Sequence, residues 1–119
     1  MADNDSLKER IHAGELVVGV SAPLDSTKSQ LEAILSKDTY GFLTVDSQHR
    51  PFNEEKLVAF CSTARDLGMP VQFRIKNTRH DYLIGNILDL GPMAIEVPLV
   101  EDESIVDEAL SAFYYPQVG

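Results

Sequence analysis

Four short apolar segments begin near residues 16, 41, 71 and 94, and a stretch with helical periodicity follows each. Hairpin connections use only about two to five residues, so intervals of 23 to 30 residues are too long for an antiparallel meander. They suit repeated strand–helix–strand units, in which a helix carries the chain back to start a parallel neighbour. The expected architecture is an α/β fold: a parallel sheet with right-handed crossovers. No sequence repeat accompanies the structural one.

In chain order, residues Ser6 to Ala13 read as a short helix with Leu7 and Ile11 on one face, closed by Gly14. Leu16 to Val20 is a nearly continuous apolar run, the pattern of a strand covered on both faces. Pro23 ends it, and Asp25 or Ser26 is placed to cap a helix with Leu31, Ile34 and Leu35 on its stripe. The second strand, Gly41 to Val45, runs into a polar loop containing Asp46, Gln48, His49 and Arg50. Asn53 can cap the next helix, whose stripe is Leu57, Phe60, Cys61, Ala64 and Leu67, with Gly68 and Pro70 as its stop. Cys61 falls on that stripe and reads as a core residue rather than a nucleophile.

Val71 to Ile75 alternates, so Val71, Phe73 and Ile75 point one way and Gln72 and Arg74 the other. Thr78 and Asp81 have capping-box spacing ahead of Leu83, Ile84, Ile87 and Leu88, and Gly91-Pro92 stops that helix. Ala94 to Val100 is the fourth strand, with Ile95, Val97 and Leu99 on one side and Glu96 on the other. Pro98 has no amide hydrogen, which suits a strand end. The last helix spans Glu103 to Phe113 on Val106, Ala109, Leu110 and Phe113.

In parallel α/β proteins the loops that follow strands carry the chemistry, which directs attention to Asp46 and His49. Three residues apart, the carboxylate can accept from one ring nitrogen of the imidazole, fixing the tautomer and raising basicity at the other. The same residues also suit a plain turn in which Asp46 accepts from backbone amides and His49 stands in solvent. Arg74 and Glu96 share an orientation on adjacent strands and are expected to interact there. Alternatively, Arg74 is an ordinary surface or ion-pair residue and Glu96 reaches water at the sheet end. His80, in a first turn, reads as exposed, and His12 has no evident partner. No Gly-rich phosphate loop and no zinc-ligand spacing occurs.

The formal charge of −9 opposes nucleic acid and anionic membrane as partners. The N-terminal residues lack the apolar core of a signal peptide, and no apolar run reaches the length of a membrane span. With a single cysteine there is no internal disulfide, so the expectation is a cytoplasmic protein.

From LKERIHAGELVVGV onward, the chain resembles the N-terminal half of the HpcH/HpaI aldolase (citrate lyase-like) family. The residues that carry the likeness are the D-x-x-H loop from Asp46 to His49, VQFR ending at Arg74, ILDLG at the end of the fourth helix, VPLV, and the final YYPQVG. These aldolases are carbon–carbon lyases that cleave 4-hydroxy-2-oxo acids and 2-keto-3-deoxy sugar acids to pyruvate and an aldehyde. The resemblance implies His49 as proton acceptor, Asp46 as its loop partner, and Arg74 as the cation that steadies the enolate oxygen. It implies for Asp89 a role in raising the basicity of the histidine, remotely or from a neighbouring subunit; as a sequence feature Asp89 is simply a helix-end carboxylate.

The family fold is a TIM (β/α)8 barrel of about 250 residues. Residues 1–119 form one domain that would supply about four βα units, a half barrel with a leading helix. A divalent cation (Mg, Mn or Co) is expected for a full-length member, with its ligands outside this chain and none within it. A homo-oligomer and a small 2-oxo acid substrate are implied, with the 119-residue chain inactive by itself. Gln48 replaces a usual Glu, Glu96 occupies a usually apolar strand position, and the connection from Arg74 to Asp89 is one residue longer than common. The alternative is a non-catalytic half-barrel binding module that dimerises to close its sheet. A receiver-like domain would need an acidic cluster after the first strand, and VVGVSAP has none.

Overall fold

The computed structural model describes residues 7–47, 53–76, 80, 83–98 and 100–113. In order these form α1 (Leu7–His12), β1 (Gly19–Ser21), α2 (Lys28–Leu35), β2 (Phe42–Asp46), α3 (Glu54–Asp66), β3 (Val71–Arg74), α4 (Ile84–Leu88), β4 (Ala94–Glu96) and α5 (Glu103–Phe113). The strands make one sheet in the order β1-β2-β3-β4, parallel at every pairing. The alternating strand–helix spacing accounts for the parallel pairing, since each crossover helix carries the chain back to start a strand in the same direction.

Side-chain alternation divides the sheet into two unlike faces. Leu43, Val45, Val71, Phe73 and Ile75 are buried and form one cluster with Leu31 of α2 and Leu57, Phe60, Cys61 and Ala64 of α3. Their strand neighbours Phe42, Thr44, Asp46, Gln72 and Arg74 are only half-buried, on the opposite face. The helices α2 and α3 thus cover one side, and the polar side remains open.

Helix α3 follows its sequence signals closely. Asn53 caps it by accepting from the Lys56 backbone N–H at 3.0 Å, and Glu54 and Glu55 in the first turn complement the helix dipole. At the other end Gly68 takes φ +73°, and the Met69 N–H reaches back to the Ala64 carbonyl at 2.9 Å.

Elsewhere the boundaries move. The first strand is Gly19–Ser21 rather than Leu16 to Val20, and Leu16 is 87 % exposed. Glu15 is held to α1 by its N–H on the Arg10 carbonyl and by the Arg10 guanidinium on its carboxylate. The segment can therefore join the ladder only from Val18, whose carbonyl accepts from the Gly41 N–H at 2.8 Å. Ile11, assigned to the inner face of the first helix, is exposed, while Leu7 is buried.

The cap of α2 is Thr27, not Asp25 or Ser26. Thr27 and Gln30 form a reciprocal capping box, and the Ser26 hydroxyl instead donates to the Pro23 carbonyl. The proposed Thr78–Asp81 box lies outside the described residues; α4 begins at Ile84 with no side-chain cap. His80 is half-buried rather than exposed. Strand β4 stops at Glu96 instead of reaching Val100, because Pro98 has no N–H with which to continue the ladder. Helix α5 has the expected bounds but no fully buried residue, and Val106 and Leu110 are 45 % and 52 % exposed.

Candidate functional site

Register assembles the site. Asp46 pairs with Arg74 across β2 and β3, and Arg74 with Glu96 across β3 and β4. The parity that sends Val45 and Phe73 into the core sends these three side chains to the open face, in one row at the strands' C-terminal ends. One step below lie Ser21, Thr44, Gln72 and Ala94, also in register.

The row is bonded as well as aligned. Arg74 Nε donates to Asp46 Oδ1 and Nη2 to Oδ2, each at 3.0 Å, a two-point fork. Both side chains remain partly accessible, at 29 % and 22 %. The Asp46 carboxylate holds the Arg74 guanidinium above its ordinary value, chiefly through this hydrogen bond, with Glu96 adding a smaller attraction. On the other flank, Arg74 Nη1 lies 3.9 Å from Glu96 Oε2, beyond hydrogen-bond length. Gln72 Nε2 donates to Glu96 Oε1 at 3.2 Å.

The backbone beneath is also tied. The Ser47 N–H and hydroxyl both donate to the Arg74 carbonyl, at 3.1 and 2.7 Å. Ser47 is buried, so these two hydrogen bonds fix the strand end from which the guanidinium projects.

A cleft of about 1020 Å³ opens over this face, lined in part by Ser21, Thr44, Lys56, Gln72, Arg74 and Glu96. An arginine carries five N–H donors. Asp46 uses one on Nε and one on Nη2, and the rest are available to oxygen atoms of a ligand or to Glu96. A fixed cation of this kind can steady an oxygen on which negative charge develops.

Of the residues singled out from sequence, Asp46 and Arg74 meet directly, and Glu96 joins them. His49 and Gln48 lie outside the described residues. Asp89 is the C-cap of α4 and exposed. It precedes β4, while the cleft sits where strands finish, so it does not line the cleft. The sequence reading gave no part to Gln72, Ser47 or Lys56 and did not pair Asp46 with Arg74; the expected Asp46–His49 contact falls outside the described residues. A usable signal was present: FLTVD and VQFR each end on a charged residue with the same parity relative to their apolar set.

Cys61 is buried, and desolvation pushes its thiol up to about 11, so it is not an activated nucleophile. Among the described residues no group of three or more His, Cys, Asp or Glu side chains is arranged to hold a metal ion. Both Asp46 oxygens are engaged by Arg74.

No protein-family model matches the chain. The chain is similar to 2-keto-3-deoxy-L-rhamnonate aldolase of Escherichia coli strain UMN026, at 28 % identity over 113 residues, covering 94 % of this chain and 41 % of that protein. The enzyme of that name in E. coli K12 is 26 % identical over 117 residues, covering 98 % and 42 %. Among solved structures, an HpcH/HpaI aldolase from Desulfitobacterium hafniense superposes with a TM-score of 0.75 at 24 % identity, over 95 % of this chain and 43 % of that one. The citrate synthase SbnG superposes with a TM-score of 0.78 at 29 % identity, over 94 % and 45 %. The chain spans about two-fifths of the length of the curated relatives it matches. Its parallel sheet with alternating helices is shared with part of the barrel fold of these aldolases.

Proposed function

We propose that this chain contributes the His49 and Arg74 part of a pyruvate-type aldolase, a carbon–carbon lyase acting on 4-hydroxy-2-oxo acids or 2-keto-3-deoxy sugar acids. The observation that carries the reading is the Asp46–Arg74 fork at the open C-terminal ends of β2 and β3, on a sheet shared with aldolase folds. In the cleavage, a base takes the proton of the 4-hydroxyl, that oxygen's electrons form the aldehyde carbonyl, and the C3–C4 bond breaks. Its electron pair enters the enolate of pyruvate, and proton return at C3 completes the balance. Arg74 offers its unoccupied N–H groups to the enolate oxygen, held in place by Asp46 and by the Ser47 bonds to its carbonyl. His49 is the proposed proton acceptor, on the strength of the family likeness. Asp89 would act only from a distance or across subunits.

A divalent cation is part of the reading through the same likeness, with its ligands expected outside this chain, and no step runs through it. The 119-residue chain by itself is expected to release no pyruvate. The test is a chimera joining residues 1–119 to the complementary remainder of the E. coli K12 relative, assayed for pyruvate from 2-keto-3-deoxy-L-rhamnonate. Release that is lost on chelation, and that falls in the His49→Ala chimera, supports the proposal; a folded chimera with no release contradicts it. Among the described residues no helix is long and apolar enough to cross a membrane, and a cytoplasmic site of action belongs to the same proposal, testable by cell fractionation.

A second reading draws on the sheet's margins. Among the described residues β1 and β4 each pair on one side only, and Leu16, Met93, Val106 and Leu110 are exposed. Open strand edges recruit further strands, which favours a non-catalytic module whose two copies close the sheet. Sedimentation equilibrium of the 119-residue chain should then show a dimer, and a monodisperse monomer would rule this out.

A further inference from the structure

Glu96 occupies the third place in the charged row, and its carboxylate is divided between two neighbours. Oε1 accepts from Gln72 at 3.2 Å, which holds the group in place. Oε2 faces Arg74 Nη1 across 3.9 Å, too far for a hydrogen bond and too near to ignore. The guanidinium cannot simply close that gap, because its Nε and Nη2 are fixed by Asp46 at 3.0 Å on the opposite flank. Nη1 and Oε2 thus form a loose ion pair with room for a bridging group, both partly exposed and bordering the cleft.

We infer that the space between Arg74 Nη1 and Glu96 Oε2 is a hydroxyl-selecting subsite, and that Glu96 sets the specificity of the cleft for ligands bearing an alcohol at that point. A hydroxyl is both acceptor and donor. Its oxygen accepts from Nη1 while its proton is donated to Oε2, so one group bridges the loose ion pair with a hydrogen bond to each side. A keto or carboxylate oxygen only accepts, and beside Oε2 it meets a negative charge with no proton to offer. Nη1 has two hydrogens, and the hydroxyl uses one, leaving the guanidinium able to reach a further ligand oxygen. The ligand class is a hydroxy acid or a polyhydroxy acid, whose carboxylate can look to Lys56, a second cation lining the cleft.

This inference rests on the cleft being the ligand site of the proposed aldolase, yet it concerns binding and needs neither cleavage nor a cation. The test uses three acids of one size that differ at a single carbon: lactate with a hydroxyl, pyruvate with a ketone and propionate with neither. Each is titrated into the 119-residue chain, followed by the amide resonances of Gln72, Arg74 and Glu96 and the Arg74 Nε–H resonance. Lactate is expected to bind about tenfold more tightly than the other two, a difference of about 1.4 kcal/mol. Glu96→Leu should bring all three within about twofold, while Glu96→Gln, which retains an accepting oxygen, should keep part of the lactate preference. A purely structural Glu96 would shift the melting temperature of the variants without moving the ratio.

Pyruvate binding as tightly as lactate overturns the inference, as does a ratio unchanged in Glu96→Leu, or no binding of any of the three. Pyruvate release by the chimera without a lactate preference removes this subsite and leaves the aldolase reading intact. Lactate preference without release does the reverse.

Discussion

Arg74 is held from three directions, by the two oxygens of Asp46 and, at its own carbonyl, by Ser47. Asp46→Asn keeps the shape but removes the charge and one of two acceptors, and because the pair is partly solvated the expected loss is about 1 kcal/mol, read from urea unfolding. The larger change should be local, with the Arg74 Nε–H resonance broadened by solvent exchange. Cys61 gives a prediction of the opposite kind. With the thiol raised to about 11 from an ordinary 9.0, the thiolate fraction at pH 8 is about a hundredfold lower than for an exposed thiol. A disulfide reagent should therefore react with the native chain slower by at least that factor, and rapidly once urea is added. The sign of the linkage follows: the unfolded thiol ionises first, so this contribution is intact below pH 9.0 and is lost as pH rises towards about 11. Gly91, on the other side of Cys61, has φ +128°, and a Cβ there would lie 2.6 Å from the Cys61 Cβ. Gly91→Ala combines backbone strain with a clash against a packed helix and should cost about 2 kcal/mol or more, measured as a drop in the urea midpoint.

Among the elements, those with the clearest sequence signals were also those whose stabilisation is local. Helix α3 carries its cap, its dipole charges, its stripe and its stop within its own residues, and its position was legible for that reason. The strands β2 and β3 were legible through alternation, since a half-covered sheet leaves a period of two. By contrast β1 was displaced by a contact absent from any periodicity, the Arg10–Glu15 attachment that holds the chain back on α1. The α2 cap was missed although Thr27 and Gln30 have the capping-box spacing, because three consecutive polar residues offered themselves. Thr27→Ala should lower stability by about 1 kcal/mol, and Ser26→Ala by much less, a contrast that separates the two assignments. Acid should loosen α1 and α5 first. Glu15 is held below its ordinary 4.5 by Arg10, and Asp102 below its ordinary 3.8 by the Ser104 hydroxyl and the Ile105 N–H. For depressed carboxylates the stabilisation is complete above those ordinary values and fades as pH falls through the folded ones. Helical ellipticity should therefore decline as pH drops from about 5 to about 3, and Asp102→Asn should flatten that decline.

For the molecule as a whole, the spacing of apolar segments was enough to give a parallel α/β sheet, because only a crossover helix fits intervals of that length. The site was legible in part. Arg74 and Glu96 were placed on one face by parity, but the pairing of Asp46 with Arg74 was not, since register between strands far apart in sequence is set by packing rather than by local pattern. Everything proposed about function depends on the guanidinium of Arg74 meeting a ligand oxygen over the open face of the sheet. The most direct measurement is pyruvate release by the chimera of residues 1–119 with the remainder of the K12 relative, comparing Arg74 with Arg74→Ala and Arg74→Lys. Loss of a donor to a developing oxyanion lowers kcat by about 10² to 10³, so the alanine variant should fall by that amount, with lysine recovering a fraction. A folded Arg74→Ala chimera that releases pyruvate at the unaltered rate would contradict the account.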